Sequence, residues 1–550
     1  MQIPEPPSLQ AGILGRERIA GRHPRGCSQD AAHRPRSVFR LNRVMAAAST
    51  SLRPSPVLPA LTAITAIAGA LRFFPLGRQS FWVDEGYTAY LLQQTGGKML
   101  ELLPRLESTP PLYYGAAWLW ARVFGTNEVA LRSLSALAGT ATVPLVYLIG
   151  RRLASPRVGL VAAALTACSP VLVWYSQEAR AYALLVLLCA GALLLFLRAC
   201  SRSAPGALLA WATASALAIA THYYAVLAVV PQAVWLVVAH PRRRLALLAT
   251  GGVAAAGAAL MPLAITQRDT GHAAWIAEIP LDIRLRQLCD QFLAGFGASP
   301  LGVCVAAAAV GAGILLISRA DRRERRAALA GAALGAAGMA LGLTFVALGF
   351  DGLITRNVIV AWVPFALLTS AGLGARRAAT AGVALTLALC SLWVATDLRV
   401  DSHASLQRPD WRRLSAALGV PHRSRVLVLE RYSSELPLYL YQPRLSRLGP
   451  GQHALVREID VVAPHGPRGR YCWWGAACNL HNAQLPVRIP RSFRPLRRGR
   501  VQDFEAERLV SPKPWRASRR AVYRELHEPS TSAVLIQRTP RARRRRVHRS

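Results

Sequence analysis

Long apolar runs constrain this chain more than any other feature. Segments 57–74, 129–149, 158–174, 182–198, 207–222, 223–240, 245–265, 299–318, 327–349, 357–375 and 378–397 each carry almost no charge. A hydrocarbon core of about 30 Å takes about 20 apolar residues per helix. In lipid the backbone must satisfy its own hydrogen bonds, which leaves helices as the way for such runs to cross. The expected fold is therefore an all-α polytopic membrane protein with about 11 transmembrane helices. The runs are rich in Ala, Gly, Leu and Val, and small residues let helices approach closely in a bilayer. A hydrophobic share of 53% and a mean hydropathy of +0.27 exclude an ordinary soluble domain.

The formal net charge of +38 does not imply nucleic acid, because of where the charge lies. Arg151, Arg152 and Arg157 follow the second run, Arg198 and Arg202 the fourth, and Arg242, Arg243 and Arg244 the sixth. SRADRRERR follows the eighth, and Arg376 and Arg377 the tenth. Every even-numbered run is thus followed by a basic loop, and the positive-inside rule makes those loops cytoplasmic. The alternate connections are expected outside: 75–128, the YSQEARAY and THYY turns, 267–298, FDGLITRN, and the tail from about 398. Long domains translocate largely regardless of charge, so an Arg-rich outer tail is consistent with this. The expected location is the cell membrane, with the bilayer as partner and no nucleic acid. Arg outnumbers Lys overwhelmingly, with only Lys98 and Lys513 present; a coding bias accounts for that as well as any function does.

Four regions are expected. Residues 1–50 form a polar, Arg-rich, disordered segment, and translation starting at Met45 would remove most of it. Residues 51–400 hold the helices, and the first is read as an anchor because no small-residue cleavage site follows it. Residues 401–530 are expected to form a small extracytoplasmic α/β domain, with a helix starting after Asp410 and strands at RVLVLE and at SAVLIQR, the latter running past 530. Residues 531–550 end in a basic tail. The nine cysteines show no metal-ligand spacing, and most sit in apolar runs as packing residues. Cys472 and Cys478 are either free thiols or a disulfide, which an outer compartment permits.

Chemistry is expected on the outer face. In QSFWVDEGYTAYLLQQ, Asp84 and Glu85 lie between Trp82 and Tyr87, and Glu107 precedes Thr109-Pro110-Pro111. The mixed aromatic and polar stretches here suit helices lying in the interface plane. A lone surface carboxylate is ordinarily just solvated. Clustered acids can raise one another's proton affinity or hold a divalent metal such as Mg²⁺ or Mn²⁺, for which Asp84 and Glu107 are the candidates. WYSQEARAYAL places Glu178, Arg180 and Tyr182 between two apolar runs, where ionisable groups are costly and either pair or serve a function. Residues two apart on a helix face each other poorly. Arg180 is instead suited to phosphate, whose oxygens match a guanidinium. His222 and Tyr223 are expected on the same face, as are Arg356 and Arg132. For each Arg alone, interfacial anchoring is an equal reading.

These residues together resemble a known family. Asp84-Glu85, then PPLYYGAAWLWARVFGTNEVALRS, then YSQEARAYAL, then Arg356-Asn357 before a run containing Pro364, is similar to the membrane GT-C glycosyltransferases. The likeness is to the family 39 type, which includes protein O-mannosyltransferases and the lipid A aminoarabinose transferase, and it covers roughly residues 57–400. The resemblance implies a sugar donor on a polyprenyl phosphate and a catalytic acid at Asp84, with Glu85 beside it. The chain departs from many relatives in having Thr109 where they carry His before the Pro-Pro pair, and Glu107 is offset from the second acid of others. Transfer needs a base for the acceptor hydroxyl and positive charge at the leaving phosphate. Asp84 is the expected base, and Arg180 and Arg356 the phosphate binders, in an inverting displacement that requires no soluble cofactor. Two other classes stay open. A transporter predicts internal symmetry and broken helices, neither of which the sequence displays. A non-catalytic membrane scaffold predicts that replacing Asp84 alters expression alone.

Overall fold

The computed structural model describes residues 57–201, 205–429, 435–442, 444–464, 489–502, 504–527 and 532–539. The whole N-terminal basic segment with Met45, Cys472 and Cys478, and residues 540–550 lie outside them.

All the apolar runs are helical. The chain enters through α1 (Val57–Phe73) and then forms α2 (Val83–Leu92), α3 (Gly96–Leu106) and α4 (Leu112–Phe124) in the long connection that follows it. The bundle continues with α5 (Glu128–Leu153), α6 (Pro156–Cys168), α7 (Pro170–Ser176), α8 (Tyr182–Ser201), α9 (Pro205–Thr221) and α10 (Val226–Ala239). It is completed by α11 (Arg243–Ala259), α12 (Met261–Asp269), α13 (Leu281–Ala294), α14 (Pro300–Leu315), α15 (Arg322–Ala347), α16 (Trp362–Leu373) and α17 (Ala379–Ser402). Among the described residues, six stretches are long and apolar enough to cross a membrane on their own, among them α11 and α12 together. The bent α6–α7 pair adds a seventh, and the others are shorter apolar helices.

Local chemistry sets the ends. Asn127 caps α5, and Ser155 with Pro156 opens α6. Asp321 and Glu324 form a capping box on α15, and Glu324 also accepts from the Arg376 N–H, tying two basic loops together. Close helix approach rests on glycine: a Cβ at Gly150 would lie 2.9 Å from Gly159 Cα, and one at Gly372 would meet the Gly313 carbonyl at 1.8 Å.

One span is broken, contrary to the sequence reading. α6 and α7 meet at 56° around Ser169-Pro170. Pro170 has no N–H to return to the Thr166 carbonyl. Arg72, fully buried on α1, donates instead to Thr166 O at 3.0 Å and Ala167 O at 2.8 Å. The break is thus sealed by a protein side chain.

The C-terminal module holds a six-stranded sheet in the order β2–β6–β1–β3–β5–β4. Its strands are β1 (Arg425–Leu429), β2 (Leu445–Arg447), β3 (His453–Pro464), β4 (Arg494–Val501), β5 (Phe504–Ser518) and β6 (Ala533–Gln537). β1 and β3 run parallel and the other pairs antiparallel. Three helices pack with it: α18 (Trp411–Leu418), α19 (Leu436–Tyr441) and α20 (Arg519–Leu526). β6 lies inside the sheet, so the module reaches past residue 530.

Candidate active site

The connection between α1 and α5, the α7–α8 turn and the segment before α16 converge on one polar cluster, where four carboxylates meet four arginines. Successive residues of a helix point about 100° apart, so Asp84 and Glu85, both in the first turn of α2, face different neighbours. Glu85 is sealed. Arg132 on α5 grips it with Nε–Oε1 at 2.8 Å and NH2–Oε2 at 2.5 Å, and the Ala179 N–H donates to Oε1 at 2.8 Å. Arg132 also donates to the carbonyls of Leu76, Gln79 and Ser80, fixing the approach to α2. Glu85 therefore has the geometry of a structural acid, not of a reacting one.

Asp84 is different. Its Oδ2 meets Arg356 NH1 at 2.8 Å, and its side chain keeps 26% exposure against 0% for Glu85, 3% for Glu107 and 2% for Glu178. Arg356 keeps 17%, and its guanidinium lies over the Trp275 ring at 5.3 Å. Its segment is braced by Arg284, which binds Asp351 at 2.5 and 2.7 Å, and by Asn357, which donates to Gly352 O at 2.7 Å.

The other two pairs were not read from the sequence. As the spacing implied, the Arg180 guanidinium does not meet the Glu178 carboxylate. It binds Glu107 at 2.6 Å and also donates to Thr88 Oγ1 at 3.1 Å and Asp84 O at 3.3 Å. Its NH1 is thus shared among three oxygens, whereas Arg356 NH1 meets Asp84 Oδ2. Burial raises the Glu107 carboxyl above its usual range against the opposing pull of Arg180. Glu178 pairs with Arg408 at 2.5 Å, a residue the sequence reading did not single out. Arg408 lies 3.8 Å from the Trp174 ring centroid. Burial raises the Glu178 carboxyl too, with Arg408 opposing. An acid buried between two apolar runs, needing a cation that its own turn cannot supply, was the available signal.

Tyr182 and His222 are buried with ring centroids 5.7 Å apart. His222 Nδ1 accepts from the Tyr224 N–H at 3.3 Å, capping a short turn. Tyr223 faces elsewhere: its hydroxyl donates to Gln267 at 2.7 Å, and Gln267 donates to Thr109 O at 3.0 Å. The donor set does not fit a dedicated divalent metal. Asp84 and Glu107 are each held by an arginine, and among the described residues no group of three or more His, Cys, Asp or Glu is arranged for one.

Comparison with known proteins gives this cluster a context. Residues 108–266, which include the SQEAR turn and the HYY turn, match the family described as dolichyl-phosphate-mannose-protein mannosyltransferase. No curated protein sequence matches the chain. Among solved structures, ArnT from Cupriavidus metallidurans in the apo state aligns with a TM-score of 0.51 at 13% identity, over 82% of this chain and 98% of that one. The Archaeoglobus fulgidus oligosaccharyltransferase gives 0.41 at 15% identity, over 65% of this chain and 55% of that one. The S. cerevisiae Pmt1–Pmt2 complex gives 0.32 at 16%, over 43% and 35%. The chain thus spans about half of the archaeal enzyme and about a third of the yeast chain. Residues 108–266 are thus similar to that family, and the chain shares the fold of ArnT.

Proposed function

We propose that the protein moves a sugar from a polyprenyl-phosphate donor to a hydroxyl acceptor on the extracytoplasmic side, with Asp84 as base and Arg356 at the donor phosphate. The observation that carries the reading is the contrast in exposure. Three carboxylates of the cluster are closed off by their arginines, while Asp84 and Arg356 form the pair that keeps a solvent face.

In this reading the donor phosphate competes with Asp84 for Arg356. A guanidinium matches the free oxygens of the donor's phosphodiester, whose charge grows as the bond to the sugar breaks, so Arg356 turns to the donor and frees the Asp84 carboxylate. The acceptor oxygen then attacks the anomeric carbon as Asp84 takes its proton. The bond from that carbon to the phosphate oxygen breaks, and its electron pair leaves on the polyprenyl phosphate, opposite Arg356. A single displacement inverts the anomeric centre. Arg180 acts as a positioning residue through the Asp84 carbonyl and Glu107. The dolichyl-phosphate donor in the matched family's description supports the donor class. An apolar groove lined by residues including Leu193, Leu227, Met339, Val358 and Pro364 begins two residues beyond Arg356. The arginine loops after alternate spans support the extracytoplasmic placement.

The broken span is the one observation on the side of a transporter. Arg72 fills that break with hydrogen bonds to Ser176, Ala68, Ala167 and Thr166, which favours a structural kink. The test is sugar release from defined polyprenyl-phosphate sugars by the purified parent and by Asp84→Asn, matched for folding. A base contributes about 10²–10⁴-fold, and a loss of that order in kcat is expected. Equal turnover would remove Asp84 from the chemistry. Lipid movement across liposomes without sugar release would favour transport.

A further inference from the structure

We infer that the C-terminal module is a working part of the active site, and that Arg408 and Pro437 are positioning residues which set the helix carrying Asp84. The inference rests on the reading of Asp84 as the base.

The approach to α2 is held from two sides. From within the bundle, Arg132 takes the carbonyls of Leu76, Gln79 and Ser80. From outside, the module takes what remains. Trp411 N–H donates to Ser80 Oγ at 2.9 Å, and Phe81 N–H donates to the Tyr441 hydroxyl at 2.8 Å. Tyr441 in turn donates to Glu128 on α5 at 2.7 Å. An open loop at a membrane surface would ordinarily give these groups to water; here each is held by protein.

Two contacts reach the helix of Asp84 more directly. The first runs through three consecutive residues of the α7–α8 turn. Arg408 binds Glu178 at 2.5 Å, the Ala179 N–H binds Glu85 at 2.8 Å, and Arg180 binds the Asp84 carbonyl at 3.3 Å. Arg408 comes from the segment that enters the module, and its own N–H and its NH1 both donate to Gln79 Oε1, at 3.1 and 3.4 Å. One buried residue of the module thus fixes both the turn that grips α2 and the segment that leads into it. The second contact is steric. α19 lies against α2, and a Cβ added at Gly86 would stand 3.0 Å from Pro437 Cγ and 3.1 Å from Pro437 N. Glycine is a poor residue for a helix interior, and at Gly86 it allows the module to sit on α2 immediately after Asp84 and Glu85.

A module present only for anchoring or solubility would not need a buried charge next to the reacting cluster. Removing one partner of a buried pair leaves the other charge uncompensated, so Arg408 loss displaces Glu178 and with it the turn.

The test uses the full-length protein in lipid nanodiscs with a polyprenyl-phosphate sugar, and reads kcat, donor KM and hydrogen exchange. For Arg408→Gln we expect kcat to fall at least tenfold with donor KM within about twofold. Exchange across residues 79–92 should quicken while β1 stays protected. Arg408→Lys, which keeps a charge for Glu178, should recover part of kcat. Arg408→Gln with parental kcat would overturn the inference.

Should Arg408→Gln not fold, Gly86→Ala decides. Alanine is the better helix former, so a purely structural account expects unchanged or firmer folding and parental kcat. We expect a loss of kcat that Pro437→Gly restores in the double variant. Parental kcat and exchange in Gly86→Ala would overturn the inference. Full turnover by Asp84→Asn would instead overturn the base reading, and the exchange at 79–92 would still report whether the module holds α2.

Discussion

Asp84 and Glu85 are neighbours in sequence, both carboxylates, both facing an arginine, and they are built for different tasks. Glu85 is fully buried, with both oxygens on Arg132 and a backbone N–H besides. Asp84 meets Arg356 through one oxygen and keeps about a quarter of its side chain exposed. A sealed pair cannot exchange partners without leaving a charge stranded in the bundle. A pair at the rim can, because water and an incoming phosphate compensate each ion in turn. The comparison teaches that the partner alone does not mark a reacting acid; access to the partner does.

The sharpest way to break the comparison is to neutralise each acid. Glu85→Gln leaves Arg132 buried without its counter-ion and is expected to cost about 3–5 kcal/mol of stability. Asp84→Asn is expected to cost less than about 1 kcal/mol, as for exposed pairs. Thermal unfolding in detergent measures both. A Glu85→Gln protein as stable as the parent would show that the burial contrast has been misread.

The arginines sharpen it next. Arg356→Gln should raise donor KM about 10–100-fold, the worth of one charge-assisted hydrogen bond of about 1.5–3 kcal/mol. Arg356→Lys should recover only part of that, since an ammonium cannot copy the fork. Arg180→Gln should lower stability and kcat more than donor affinity, because Arg180 is committed to Glu107, Thr88 and Asp84 O. Equal effects of Arg356→Gln and Arg180→Gln on donor KM would erase the distinction.

Much of this arrangement was legible in the sequence. The apolar runs mark the apolar helices of the bundle, because burial in lipid leaves a signal about 20 residues long. The aromatic-flanked acids mark the region of the charged cluster. The pairings were not legible. Glu178 finds Arg408 across 230 residues rather than Arg180 two positions on, and no local period encodes such a contact. The break in the third span was written in Ser169-Pro170 but hidden by the hydropathy of its flanks. The sheet was legible only at β1 and β6, which are buried along their whole length. β4, RPLRRGRV, is an exposed edge strand whose arginines erase any apolar alternation.

The smallest effect separates the brace of Arg356 from Arg356 itself. Arg284 holds Asp351 through two hydrogen bonds, and this contact keeps the Asp351 carboxyl below its usual range. An acid with a lowered folded value binds its proton less readily folded than unfolded. Its stabilising contribution is therefore complete above about pH 5, one unit over the ordinary aspartate value, and fades as the pH falls through the folded value below about 4. Asp351→Asn should lower stability at pH 7 by less than Glu85→Gln does, because Asp351 keeps 18% exposure although Arg284 is buried, and the gap to the parent should close as the pH drops below about 4. Because the braced segment carries Arg356, donor KM should rise slightly in the same variant, well short of the Arg356→Gln effect. Thermal midpoints of both proteins between pH 3 and 7 measure the first part. A gap that stays constant over that range would mean that the ion pair is not what holds the segment, and the Asn357–Gly352 bond would have to do so instead.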